Sequence, residues 1–239
     1  MYARTTESPV LLLGAAHVVD LEQPLRTVLG ERVLDGVAVE LDGERANALL
    51  NPDAGPRRGG GGLPFVTRLW GALQQRLGED IGGGGAGAEM KVAASVARER
   101  HLPLFLIDDP IRATILRLVQ TMPFKERVQL LVGALLAFLI PSRLIRNEVD
   151  RYAESPGEYT DALRQASPTV ARVLLDERNE HMADRLAGLR AQGYGRIAAV
   201  VGDAHLPGLA AALGRRGVAV EAIPFAKLRE VTGPRPTPS

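Results

Sequence analysis

Val10-Leu11-Leu12-Leu13-Gly14-Ala15-Ala16-His17-Val18-Val19-Asp20-Leu21 is one of two related stretches in this chain. Near the other end the sequence reads Ala199-Val200-Val201-Gly202-Asp203-Ala204-His205-Leu206-Pro207-Gly208-Leu209. In each, a short apolar run meets a glycine, two small residues and a histidine, and a helical pattern follows. Gly36-Val37-Ala38-Val39-Glu40 lies downstream of the first copy and Gly217-Val218-Ala219-Val220-Glu221 downstream of the second. Each copy reads strand, G-x-x-H turn, helix, strand ending in glutamate. Two of the four histidines occupy this one repeated position.

Apolar runs of this length that end at glycine are buried parallel strands. Glycine at the strand end lets the backbone turn sharply or approach another group closely. The histidine after it falls at the carboxyl edge of the sheet, where open α/β sheets bind their ligands. Two such units in one sheet bring His17 and His205 to the same edge. Glu40 reaches that edge on its own strand, because βαβ crossovers keep strands parallel. Two imidazoles and a carboxylate there have the donor chemistry of a divalent metal site with a position left for water. A single histidine after a strand would be only a helix-end residue; the repetition is what argues for chemistry.

The 239 residues suit one α/β domain, 1–239, with a helical insertion at about 116–189 and a proline-rich tail from about 232 expected to be disordered. A net charge of +1 gives no electrostatic case for nucleic acid or an anionic membrane. The chain has no cysteine, which excludes disulfides, thiolate metal sites and cysteine nucleophiles. The residues before Val10 lack the form of a signal peptide, so a soluble cytoplasmic protein is expected.

Between the repeats, the pattern predicts a helix over about 20–32 and a second strand over 37–41. A short helix over 44–50 follows, and then a glycine- and proline-rich loop over 51–63. A further amphipathic helix over 63–77 lies between that loop and a second glycine run at 81–87, an arrangement that suits a flap or, equally, a disordered surface insertion. An Ala-rich helix over 88–100 carries Glu89 in its first turn, where it complements the helix dipole. A third strand over 104–107 runs into Asp108-Asp109-Pro110. Pro123 opens a helix through the apolar run Leu130–Ile140, too short to cross a bilayer, which needs roughly 20 residues. This run is expected to be buried or to form a homodimer, with peripheral membrane contact as the rival. Ser167-Pro168 is a helix N-cap and first position for a helix to about Gln192. Glu177 and His181 share one of its faces. Strands over 197–201 and 218–223, with a helix over 206–213, complete a parallel-rich sheet.

Gly14 to His17, with Val39 to Asp42 and Arg45, resembles the TraB/PrgY family. So do Gly87 to Met90, Leu106 to Arg117, Asp176 to Ala183 and Val200 to His205. That family is similar to the Tiki metalloproteases and more distantly to the erythromycin-esterase and ChaN-like proteins. The resemblance implies a divalent-metal peptidase or hydrolase, and family members have been linked to shutdown of peptide pheromones. Two positions depart from its pattern. The segment after the third strand usually reads Asp-Arg-Asp and here is Asp108-Asp109-Pro110, and position 181, usually aromatic, is histidine.

The expected mechanism is metal-assisted hydrolysis of small peptides. His17 and His205 ligate a manganese, cobalt or zinc ion, and Glu40 is a third ligand or the general base. Glu89 and Glu177 are alternative bases. Arg45, Arg112, Arg117 or Arg178 would hold a substrate carboxylate or a developing oxyanion, with Asp42, Asp108 and Asp203 as supports. The competing expectation is a non-catalytic protein that sequesters a peptide or haem on the same rim. No P-loop, dinucleotide fingerprint, G-x-S-x-G or H-E-x-x-H motif occurs.

Overall fold

A computed structural model describes residues 8–16, 21–50, 87–129 and 156–231. β1 (Val10–Ala15), β2 (Gly36–Val39), β3 (Leu104–Leu106), β4 (Ile197–Gly202) and β5 (Val220–Ile223) form one sheet in the order β3-β2-β4-β1-β5. All four strand pairings are parallel. β1 and β2 are buried along their whole length, as apolar runs covered on both faces must be.

The two repeated strands are neighbours at the centre of the sheet, with Leu13 opposite Val200 and Ala15 opposite Gly202. β1 leads through α1 (Glu22–Glu31) and over β4 to β2. β4 leads through α8 (Leu206–Arg215) and over β1 to β5. The two crossovers run in opposite directions, and parallel crossovers share one hand, so their helices must cover opposite faces. They do. Leu25 and Leu29 of α1 pack with Leu11, Leu13, Val37 and Val39. Leu209 and Leu213 of α8 pack with Val10, Leu12, Ala199 and Val201. The repeat in the sequence is therefore a pseudo-twofold about the strand direction, and β1 and β4 both end at the carboxyl edge of the sheet.

Other helices complete the two layers. α2 (Gly43–Leu50) follows β2, and α3 (Ala88–Glu99) adds Met90, Ala93 and Val96 to the α1 face. α4 (Ile111–Thr121) follows β3, and α5 (Pro156–Ala166) precedes a long helix. That helix begins as α6 (Pro168–Ala171), passes through a π-helical turn (Arg172–Asp176) and continues as α7 (Glu177–Ala191). Glu177 N–H bonds Arg172 O, an i→i−5 link that inserts one residue into the helical repeat. Ser167 and Pro168 open the helix as expected, but the serine side chain caps nothing. Glu126 supplies the carboxylate instead, accepting Thr169 N–H at 3.1 Å and Thr169 Oγ1–H at 2.8 Å. α9 (Phe225–Leu228) closes the chain against β1.

Strand ends differ slightly from the sequence pattern. β2 stops at Val39, and Glu40 stands one residue beyond it, where the chain turns and Leu41 N–H bonds Val39 O. The expected flap and its glycine loops, the apolar run 130–140 with its proposed dimer or membrane contact, the tail and His17 all lie outside the described residues. No helix among the described residues is long and apolar enough to cross a membrane.

Gly14 has a steric reason to lack a side chain. A Cβ there would fall 2.1 Å from Asp203 Oδ1 and 2.7 Å from Leu206 Cδ1. The two motifs thus interlock: the second repeat's aspartate fills the space left by the first repeat's glycine. Gly14→Ala is expected to destabilise the fold by about 1–3 kcal/mol through overpacking. Urea unfolding of Gly14→Ala, Asp203→Ala and the double variant checks this. The double variant should lose less than the two single losses combined.

Candidate functional site

The carboxyl ends of β2, β3 and β4 carry Glu40, Asp108 and Gly202 to one place. A single turn of 3-10 helix (Asp203–His205) after β4 adds His205, and the start of α7 adds Arg178 and Asn179. Glu40 Oε2 accepts Gly202 N–H at 2.6 Å. Glu40 Oε1 accepts from Arg178 Nη2 and lies 3.3 Å from His205 Nε2. The other ring nitrogen, His205 Nδ1, is 2.8 Å from Asn179 Oδ1. Glu40, Asn179 and His205 are 7%, 3% and 4% exposed, so the contacts are screened little by water.

Arg178 continues the network. Its Nε and Nη2 donate to Asp108 Oδ1 and Oδ2 at 3.0 and 2.6 Å, a bidentate geometry that only a planar guanidinium supplies. Arg45 then joins Asp108 to Asp42, donating from Nη2 to the first and from Nε to the second at 2.8 Å. Asp42 Oδ1 accepts the N–H groups of Glu44 and Arg45 at 2.8 and 2.9 Å, capping α2. Its Oδ2 accepts the Ile111 N–H at 3.1 Å at the start of α4. One carboxylate therefore ties two helix N-termini beneath the site.

The charges follow from these contacts. Burial opposes ionisation of Glu40, but His205, Arg178 and the Gly202 N–H outweigh it and hold the carboxyl well below its usual range. Burial likewise opposes the charge on Arg178, and Glu40 and Asp108 overcome it, keeping the guanidinium charged. Burial of Asp42 is overcome by the Arg45 backbone and side chain and the Ile111 N–H, which lower its pKa. Asp203 behaves differently: burial pushes it up, and its one counterweight is the Phe225 N–H at 2.7 Å. It braces β1 and α9 and does not reach toward Glu40. Three carboxylates, of Glu40, Asp42 and Asp108, thus face two guanidiniums.

The remaining residues singled out in the sequence form a second, more exposed row. Asp109 Oδ2 pairs with Arg117 Nη2 at 2.8 Å, and Asp109 Oδ1 lies 3.2 Å from His181 Nδ1. Glu177 pairs with Arg117 at 3.4 Å and with Arg172. Glu177 and His181 share a helix face as expected, and they engage Arg117 and Asp109, which pair with each other. Arg112 pairs with Glu44 at the surface, and Glu89 is buried in the first turn of α3. Two of the three expected ligands, Glu40 and His205, meet. The third, His17, lies outside the described residues, although β1 delivers the chain to Ala15 beside Gly202. Among the described residues no three histidine, aspartate or glutamate side chains are grouped so that they could hold a metal ion together.

Asn179 and the Gly202 N–H were not marked by the sequence. Asn179 stands inside the Asp176–Ala183 segment, where only the acids, arginine and histidine have the look of chemistry. The π-helical turn that precedes it leaves no local signature. A clue was available: asparagine is a weak helix former, and a buried one in a helix interior needs a partner.

A sequence model of the TraB/PrgY/gumN family matches residues 3–222. An uncharacterized protein of Methanocaldococcus jannaschii is 30% identical over 211 residues, which cover 85% of this chain and 53% of the relative. The chain thus spans about half the length of the curated relative it matches.

A depressed carboxyl pKa fixes the sign of a pH effect. Glu40 contributes stability that is present above its ordinary value of 4.5 and is lost as pH falls from there toward its lower folded value. Glu40→Gln is expected to cost about 3 kcal/mol at pH 7. The gap to the wild type should narrow below pH 4.5, as followed by denaturant titration at a series of pH values.

Proposed function

This chain belongs to the TraB/PrgY/gumN family, and from that premise we propose that it is a divalent-metal-dependent hydrolase acting on small peptides. The observation that carries the proposal is the buried 3.3 Å approach of Glu40 to His205 at the carboxyl edge of the sheet. An imidazole and a carboxylate there are donors that suit zinc, manganese or cobalt. Glu40 and His205 would hold the ion, with His17 as the third ligand. When bound, such a metal supplies Lewis acidity and a water that ionises near neutral pH.

The chain's own groups have separable roles in this reading. Arg178, fixed by Asp108, keeps Glu40 ionised and orients its carboxylate. The Gly202 N–H fixes the second oxygen of that carboxylate. Asp42 and Arg45 hold Asp108 and so hold Arg178. Arg117, half-exposed between Asp109 and Glu177, is the cation best placed to meet a substrate carboxylate. Arg112 is farther toward solvent, beside Glu44. Glu177 and Glu89 are the candidates for a general base besides Glu40. The choice of a peptide substrate rests on the family resemblance. A cytoplasmic setting belongs to the same proposal, consistent with a chain free of cysteine.

One observation favours the rival, a protein that binds a peptide or haem without turnover. Both oxygens of Glu40 already have hydrogen-bond donors within the chain. Elemental analysis of protein purified without chelator separates the two. About one manganese, cobalt or zinc ion per chain is expected for the hydrolase, lost in His205→Ala and in His17→Ala. Peptide hydrolysis should fall in both by more than the roughly 100-fold that loss of a merely supporting residue costs. Full metal content in either variant would place the site elsewhere, and peptide binding without cleavage in added metal would favour the rival.

A further inference from the structure

We infer that Asn179 is a positioning residue that fixes the ring of His205, by accepting a hydrogen bond from Nδ1–H so that Nε2 is turned toward Glu40, and that Gly208 exists to let it do so. The inference rests on the proposed metal-binding role of His205, which it deepens. Asn179 Oδ1 lies 2.8 Å from His205 Nδ1, and both side chains are buried. An amide oxygen can only accept a hydrogen bond, so Nδ1 must carry a proton. That leaves Nε2 as the nitrogen turned toward Glu40 Oε1, 3.3 Å away.

The second observation is on the neighbouring helix. A Cβ at Gly208 would sit 2.2 Å from Asn179 Nδ2 and 3.1 Å from its Cγ. Gly208 lies in the first turn of α8, and glycine is a poor helix former. Asparagine in α7 is also unfavourable, because its amide competes for backbone hydrogen bonds in non-helical conformations. Two poor helix formers on facing helices therefore meet at one buried point, beside the histidine. Close approach of the amide explains the first, and the hydrogen bond to Nδ1 explains the second. The extra residue of the π-helical turn just before Glu177 sets the phase that points Asn179 inward.

The test uses the full chain and three variants, Asn179→Leu, Asn179→Asp and Gly208→Ala. Nitrogen-15 NMR reads which ring nitrogen of His205 is protonated and how fast that proton exchanges. Calorimetric titration with zinc alone reads affinity, and circular dichroism reads folding. A slowly exchanging Nδ1–H is expected in the wild type and in Asn179→Asp. In Asn179→Leu it should exchange rapidly, with zinc bound 10–100-fold more weakly while the fold persists. Gly208→Ala, which leaves Asn179 chemically intact, should move both readings the same way. An unprotonated Nδ1 in the wild type overturns the inference without any variant. An Nδ1–H equally protected in Asn179→Leu overturns it too. If the Nδ1–H depends on Asn179 but the wild type binds no zinc, the positioning role stands and the metal reading fails.

Discussion

Glu40 could not stay buried as a lone anion, since a carboxylate taken out of water without partners either takes up a proton or unfolds its surroundings. Its partners come from three other places: Gly202 at the end of β4, His205 in the turn after it, and Arg178 on α7. The contact can form only if β2 and β4 are adjacent and in register, and if the long helix crosses their carboxyl ends. Removing one member of such a buried group costs about 3–5 kcal/mol, because the others are left uncompensated. The same contact therefore holds the fold together at this edge and sets the charge of the site.

The topology makes this juxtaposition natural. Because the two strand–helix–strand units interleave, each unit's first strand lies beside the other's, and their carboxyl ends are neighbours. An arrangement with the units in tandem would have separated them by the width of a half-sheet. Interleaving also lets one repeat shape the other, as Asp203 does against Gly14. Beneath the centre, Asp42 and Arg45 tie α2 and α4 to Asp108, so the arginine that orients Glu40 is itself held by a chain of charge-assisted bonds. Rigid support of this kind is what a binding constellation needs to hold its geometry.

Much of this was legible in the residues. The adjacent repeated strands, their parallel pairing and the meeting of Glu40 with His205 all follow from periodicity, glycine and the parallel-crossover rule. The partners of the arginines did not follow. Arg45 and Arg178 look like free cations for a substrate, yet each is held by buried carboxylates, because pairing across 63 and 70 residues is set by topology and not by local pattern. Asn179 was missed for a related reason: its direction depends on an i→i−5 turn. Glu177 and His181 share a face as helical spacing requires. Their partners, however, are Arg117 and Asp109 from α4 and the end of β3. The two acids after the third strand are each paired, Asp108 with Arg178 and Arg45 and Asp109 with Arg117.

The central claim is that Glu40 and His205 share a metal ion. Crystals soaked in a zinc salt, with anomalous diffraction collected at the zinc edge, test it most directly. The expected result is one strong peak bonded to both Glu40 and His205, at about 2.0–2.2 Å from each donor atom. A map with no peak there, and with the Glu40–Arg178 and Glu40–His205 contacts unchanged, would contradict it.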